Sequence, residues 1–230
     1  MIIYLEHIAL LLHTYKMERK IYILLLTVCA LNAQTFSIAR VHYGGGGDWY
    51  SDPSSIPNLL NYLNSNTPIS ASPEEARIKL TDENANQYPY LYLTGHGNII
   101  FTDDEIIALR TMLMNNGFLH ADDNYGMDAS FRREIKRIFP NKDLVPLPYD
   151  HRLFHSYYSF PQGLPKVHEH DGKVPQALAL FEDERIILLY TYESDLGDGW
   201  ENASVHQDPW PIRESALKMG VNIIYFALTQ

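Results

Sequence analysis

Three apolar, strand-like segments of this chain each run straight into a loop of glycine or acid. Phe36 to Tyr43 leads into Gly44-Gly45-Gly46-Gly47-Asp48-Trp49-Tyr50, Tyr88 to Thr94 into Gly95-His96-Gly97, and Phe118 to Ala121 into Asp122-Asp123. Helical patterns stand between them: Pro57 to Asn64 carries Leu59, Leu60 and Leu63 at helical spacing. Strand, helix, strand order in a single core favours parallel strands joined by crossovers, with helices covering both faces. In such a sheet the loops that leave the carboxyl ends of the strands gather along one edge, so these three loops predict a shared crevice there.

The remaining segments fit the same plan. Thr102 followed three residues later by Glu105 forms a capping box, Ile106, Leu109, Met112 and Leu113 line one face of the ensuing helix, and Gly117 supplies a stop. A second helix runs from about Asp128 with Phe131, Ile135 and Ile138 on one face and Pro140 just beyond its end. Val145 to Lys173 holds Pro146, Pro148, Pro161 and Pro165 and reads as irregular. Ala177 to Phe181 and Arg185 to Tyr192 flank Glu182-Asp183-Glu184 as an antiparallel hairpin with an exposed acidic turn. Asp208-Pro209 opens a last helix, Gly220 ends it, and Val221 to Leu228 is expected to form a terminal strand.

A chain of 230 residues suits one sizeable core rather than two α/β domains. Its formal net charge of -10, with no stripe of Lys and Arg, excludes the phosphate backbone of nucleic acid as a natural partner. Residues 1–33 read as a signal peptide: Met17-Glu18-Arg19-Lys20 is a short basic start, Ile21 to Leu31 an apolar run, and Asn32-Ala33-Gln34 a cleavage point with a small residue. The pattern is complete from Met17, which marks that residue as an alternative true start. An uncleaved anchor and a lipoprotein signal at Cys29 are the competing readings. The expectation is thus an exported, periplasmic or extracellular domain over 34–230 that touches the membrane only through its targeting segment. Cys29 is the chain's one cysteine, so a mature domain cut after Ala33 has no disulfide, thiolate metal site or cysteine nucleophile.

The candidate site is built from the three loops. Gly45, Gly46 and Gly47 can turn backbone N–H groups toward an anion, although no GxGxxG spacing or P-loop lysine accompanies them, and a plain turn is the competing reading. Asp48 beside Trp49 suits a sugar, the ring stacking on a face and the acid accepting hydroxyl protons; Trp49 can equally lie over the core. His96, set between Gly95 and Gly97, is a candidate general base, metal ligand or hydrogen-bond donor, against a role as a cap on a tight turn. The adjacent carboxylates of Asp122 and Asp123 repel unless hydrogen-bonded or neutralised by a cation, and suit acid–base work or a hard cation such as Mg²⁺ or Ca²⁺; helix capping is the alternative. His151, His155, His168 and His170 add nitrogen donors in the irregular section, where His168-Glu169-His170 lacks the helical spacing of a zinc protease. Asp195, Asp198, Trp200 and Glu201 follow a strand and are placed to close over the crevice. The residues select no particular cofactor and no particular metal.

Several of these runs occur together in a known order: Gly45-Gly46-Gly47-Asp48-Trp49-Tyr50, Leu93-Thr94-Gly95-His96-Gly97, Gly117 to Asp123, Phe139-Pro140, Asp150-His151 and Asp195 to Trp200. The chain thereby resembles an uncharacterised bacterial family classed as a domain of unknown function, with a flavodoxin-like α/β fold similar to class I glutamine amidotransferases and trehalose-utilisation-like proteins. The resemblance implies a mostly parallel sheet with helices on both faces plus an antiparallel hairpin, and adds Asp150 and His151 to the candidate ligand-binding residues. In true amidotransferases a cysteine occupies the turn after the strand matching Phe118 to Ala121; here Asp122 and Asp123 stand there, so glutaminase chemistry is lost. Expected partners are a small polar ligand, carbohydrate or cell-envelope derived, bound at the crevice, or an envelope protein for which the domain is a scaffold. As an enzyme, the expectation is a hydrolase or lyase in which His96 and Asp122 or Asp123 move protons while Asp48 orients substrate.

Overall fold

In a computed structural model, which describes residues 35–230, the alternating segments form one seven-stranded sheet. The expected signal segment, the Met17 start and Cys29 lie outside the described residues. The strands are β1 (Ala39–Val41), β2 (Ala76–Ile78), β3 (Tyr90–Leu93), β4 (Phe118–Asp122), β5 (Val145–Pro146), β6 (Gln176–Glu182) and β7 (Arg185–Tyr192), in the order β2-β1-β3-β4-β7-β6-β5. From β2 to β7 each neighbouring pair is parallel; β6 runs antiparallel to β7, and β5 antiparallel to β6.

Helices cover both faces, because the central strands are apolar on both sides. On one face α1 (Ser55–Asn66), α4 (Leu196–Trp200) and α6 (Trp210–Thr229) pack over Ile38, Tyr90, Tyr92 and Leu189; on the other α2 (Asp103–Met114) and α3 (Asp128–Ile138) cover Val41, Leu91, Leu93, Leu119 and Leu188. A short α5 (Ala203–His206) links α4 to α6. Among the described residues no helix is long and apolar enough to cross a membrane.

Local rules account for most element ends. The capping box of α2 is present in full, Glu105 N–H donating to Thr102 Oγ1 and Thr102 N–H to Glu105 Oε2. The left-handed residue past α2 is Asn116 (φ 68°), while Gly117 supplies the close approach: a Cβ there would stand 2.6 Å from the Met112 carbonyl oxygen. The acidic hairpin turn forms with Asp183 left-handed at φ 51°. Pro146 lies in β5, the edge strand, where its missing N–H costs no ladder bond to a further strand.

The expected terminal strand over Val221 to Leu228 is corrected: α6 continues through Gly220 to Thr229. A short apolar run reads the same for a buried strand and a buried helix. Gly220 serves packing instead of termination, since a Cβ there would lie 2.5 Å from Leu59 Cδ1 and 3.0 Å from Trp200 Cζ2. Asn222, fully buried in the same stretch, accepts from the Tyr158 N–H at 2.7 Å and donates to the Tyr158 carbonyl at 2.8 Å.

Two buried polar residues inside strands shape the rim. Arg40 in β1 reaches Glu75 Oε2 at 2.8 Å, Ser51 O at 2.8 Å and Asp52 O at 3.1 Å, fixing the loop between β1 and α1. His120 in β4 has Tyr90 OH at 3.4 Å on Nδ1 and Thr191 Oγ1 at 3.1 Å on Nε2. Burial holds its pKa down at about 3 from the ordinary 6.5. Between those values the unfolded chain takes up a proton that the folded chain refuses, so stability is expected to fall as the pH drops from about 6.5 toward about 3. Urea midpoints measured from pH 7 to pH 4 should show this slope, and His120→Gln should flatten it; an unchanged slope in the variant would assign the acid sensitivity elsewhere.

Candidate functional site

At the carboxyl ends of β1 and β3 the glycine loop closes onto the loop that carries His96. Gly47 N–H donates to Asn98 O at 3.0 Å, Asp48 N–H to His96 O at 3.3 Å, and Ile100 N–H to Gly44 O at 2.9 Å. Only residues without side chains permit this approach: a Cβ on Gly45 would lie 2.6 Å from Ile100 N, and one on Gly47 2.8 Å from Asn98 O. Gly95, at φ +136°, is held against the Tyr43 hydroxyl, which a Cβ would overlap. Of the glycines expected to cradle an anion, Gly47 has its N–H engaged by the adjoining loop, as has the neighbouring Asp48. Gly46 (φ +90°) and Gly97 (φ +84°) answer to turn geometry, with open space where a side chain would point.

The Asp48 carboxylate accepts the His96 N–H and faces His96 Nδ1 at 3.1 Å, with the imidazole half exposed. Trp49 stacks on His42, ring centroids 4.2 Å apart, and faces Arg77 and Asp82 beside the β2 edge. It is partly buried on that side of the rim, away from β4.

Asp122 is fully buried at the end of β4, where it receives Gly197 N–H at 2.6 Å, Leu196 N–H at 3.3 Å and Tyr92 OH at 3.4 Å, and lies against Thr191 Oγ1. Burial, then the charge of Asp195, pushes its pKa up to about 8. Asp123 accepts Tyr190 OH at 2.9 Å and Glu193 N–H at 3.0 Å, and lies 3.7 Å from His170 Nδ1. Among the described residues no hydrogen bond or ion pair joins His96 to Asp122 or Asp123. His96 pairs with Asp48, Asp122 anchors the loop after β7, and Asp123 meets His170.

The polar cluster that does form lies past the ends of β4 and β7. Asp195 Oδ2 stands 3.2 Å from His168 Nδ1 and 3.0 Å from His170 Nε2; Asp198 Oδ2 is 2.8 Å from His168 Nδ1, and Asp208 Oδ1 is 3.2 Å from His168 Nε2. Asn124 Nδ2 donates to Asp52 Oδ2 at 3.1 Å. Three residues here hold left-handed backbone without being glycine: Asp52 (φ 55°), Glu193 (φ 60°) and Asp195 (φ 56°). Such conformations cost about 1–3 kcal/mol each and concentrate where a loop is shaped for a purpose. The turn after β4 has no non-glycine residue of this kind.

The domain-of-unknown-function profile DUF4159 matches residues 37–228. The chain belongs to the DUF4159 family. A comparison with curated proteins found no match.

In this DUF4159 domain, opposed environments split the carboxylates at the rim. Burial raises Asp195, but hydrogen bonds from His168 and His170 outweigh it and hold the group at about 2. Burial, then Asp195 and Asp52, drives Asp198 up to about 9. The Asp195 hydrogen bond holds His168 protonated up to about 9; for His170, burial is outweighed by Asp123 and Asp195, which lift it to about 10. Burial is also the main cause that raises Asp52. Among the described residues no Lys or Arg forms an ion pair with Asp52, Asp122, Asp123, Asp195, Asp198 or Asp208; histidines are the cationic neighbours of Asp123, Asp195, Asp198 and Asp208.

Three expected crevice residues of the DUF4159 domain lie elsewhere. Trp200 is fully buried, its Nε1–H donating to Ala216 O at 2.8 Å, so it is a core residue and neither a lid nor a surface contact. His151 caps a 3-10 turn (Arg152–His155) by accepting the Leu153 N–H at 3.2 Å and packs on Phe226. That end of α6 adjoins the opposite edge of the sheet, where Gln230 bonds Ile186 at the start of β7, so His151 and the exposed Asp150 beside it lie away from the crevice. Sequence reasoning missed Asp52, Asn124, His206 and Asp208 as members of the rim, because no local spacing connects them to His168 or Asp195.

Proposed function

We propose that the rim at the carboxyl ends of β1, β3, β4 and β7 binds a small polyhydroxylated ligand, of the carbohydrate or cell-envelope class, in an exported domain. The observation that carries this reading is Asn124 Oδ1, a buried acceptor without a hydrogen-bond partner, next to the exposed ring of Tyr125. An unanswered buried acceptor costs roughly 1–3 kcal/mol and is relieved by a ligand that brings a hydroxyl or amino donor. Tyr125 and the similarly exposed Tyr50 offer apolar faces for a sugar ring. The acidic rim disfavours phosphorylated or carboxylated ligands.

The strand order β2-β1-β3-β4-β7 supports the flavodoxin-like, amidotransferase-like assignment, as it follows the doubly wound order in which ligands collect at strand ends. Residues 36–230 contain no cysteine, in keeping with binding without thiol glutaminase chemistry. The basic start at Met17 and the apolar run to Leu31 support export. The scaffold alternative loses Trp200 as a contact, while the hydrolase alternative has no direct hydrogen bond between His96 and Asp122 or Asp123 among the described residues to support it.

The test is a melting-temperature screen of the purified chain against neutral mono- and oligosaccharides, repeated on Tyr125→Ala. Tyr125 is exposed, so its truncation should leave the unliganded midpoint within about 0.5 kcal/mol of the parent. A saccharide that raises the midpoint of the parent and fails to raise that of the variant is the expected result; equal shifts in both proteins, or none in either, would overturn the reading.

A further inference from the structure

The segment before the hairpin is strapped along the chain leaving β7, Val167 N–H donating to Ser194 O at 2.9 Å. This strap delivers His168 to the corner between α4 and α5, where one carboxylate stands between two imidazoles. Asp198 Oδ2 is 2.8 Å from His168 Nδ1 and Asp198 Oδ1 is 3.4 Å from His206 Nε2. One donor atom from each of the three residues lies within 4.8 Å of the other two. In a tetrahedral zinc site, donors about 2.0–2.2 Å from the ion stand about 3.3 Å from one another, so a small inward adjustment of these side chains gives metal-binding spacing.

Two further observations point to a cation. Asp195, only 3% exposed, has one oxygen, Oδ1, without any hydrogen-bond partner, while its Oδ2 lies 3.2 Å from the same His168 Nδ1. The two histidines beside it meet only Oδ2, and the buried Oδ1 left over is an oxygen that a cation would satisfy. The second is on the far side of the ring, where Asp208 lies 3.2 Å from His168 Nε2. A carboxylate on Nε2 holds the ring with Nδ1 toward Asp198, so that a metal ion displacing the Nδ1 proton meets an oriented ligand, the usual support for a metal-binding imidazole.

We propose that His168, Asp198 and His206 bind a divalent transition metal of the Zn²⁺ class, with Asp195 as the nearest further oxygen donor and Asp208 as the positioning residue for His168. Two imidazole nitrogens favour such an ion over Mg²⁺ or Ca²⁺, which prefer all-oxygen shells. The site goes beyond the saccharide reading and does not depend on it, because it uses neither Asn124 nor Tyr125.

Cobalt and zinc titrations of the metal-stripped full chain decide the matter. Co²⁺ is expected to bind at one equivalent per chain and to give the visible absorption of a four- or five-coordinate ion, Zn²⁺ to displace it, and Mg²⁺ to leave it in place. His206 lies on a short, exposed helix, so His206→Ala should keep the parent circular dichroism while weakening Co²⁺ binding at least about tenfold. Asp208→Asn should weaken it by about 10- to 100-fold as a lost supporting carboxylate. His96→Ala, which removes a ring that meets Asp48 and none of these three residues, should match the parent. Absence of saturable Co²⁺ and Zn²⁺ binding, equal affinity in a folded His206→Ala variant, or loss of binding in His96→Ala would each overturn the assignment.

Discussion

Truncating Asp122 to alanine is expected to cost about 4 kcal/mol of folding stability, read as a shift of the urea midpoint at unchanged slope. The side chain is the acceptor for two buried backbone N–H groups, Gly197 at 2.6 Å and Leu196 at 3.3 Å, and the alanine variant leaves both without a partner. Each such orphan costs roughly 1–3 kcal/mol, and the Tyr92 hydroxyl loses its partner as well. Asp122→Asn should behave differently. Burial and the Asp195 charge raise the Asp122 pKa to about 8, so the group is a neutral acid at pH 7. An amide of the same shape keeps an oxygen for Gly197 and can donate to Thr191 Oγ1 in place of the acid proton; it forfeits only the longer Leu196 bond, for about 1 kcal/mol. Equal damage from both substitutions would show that Asp122 is ionised in the folded protein. Hydrogen exchange at the Leu196 and Gly197 amides should report the same ranking, fastest in the alanine variant.

Trp200→Ala is the second large effect, about 3–5 kcal/mol, as for other fully buried aromatic side chains cut back to a methyl. The indole is packed against Tyr92 and His120, with ring centroids 5.8 Å and 5.9 Å away, and a Cβ on Gly220 would already be within 3.0 Å of it. The substitution leaves a void between α1, α4 and α6 and removes the donor to Ala216 O. Iodide quenching gives an independent check. Trp210, about half exposed, should be quenched in the folded protein, whereas the Trp200 contribution should resist until unfolding. A midpoint within 1 kcal/mol of the parent would refute the core placement and return Trp200 to the rim.

How much of this was legible in the sequence depended on range. Thr102 and Glu105 announced α2 because a capping box closes within one turn, and the glycine, His96 and Asp122 loops could be assigned to one edge because β-α-β order puts successive strand ends there. Val221 to Leu228 misled because an apolar run carries no period of its own, and Gly220 looks like a stop until Leu59 and Trp200 are seen to need its missing side chain. Pairings at the rim were beyond reach. Asp48 finds His96 across 48 positions, and His168 finds Asp195, Asp198 and Asp208 across 27, 30 and 40, separations that no motif spacing encodes. Asp122 and Asp123 show the same limit in another form: residue type marked them as polar groups at a strand end, but only packing reveals that both point into the protein.

The mutual closure of the glycine loop and the His96 loop makes the rim lopsided. Gly44, Gly47 and Asp48 are bonded to His96, Asn98 and Ile100 through main-chain atoms, so these two loops respond as one stiff jaw. By contrast, α5 is a single exposed turn without a side-chain cap, joined through His206 to Asp198. Amide exchange is therefore expected to be faster across α5 than at Gly47 and Asp48, whose N–H groups are held inside the jaw.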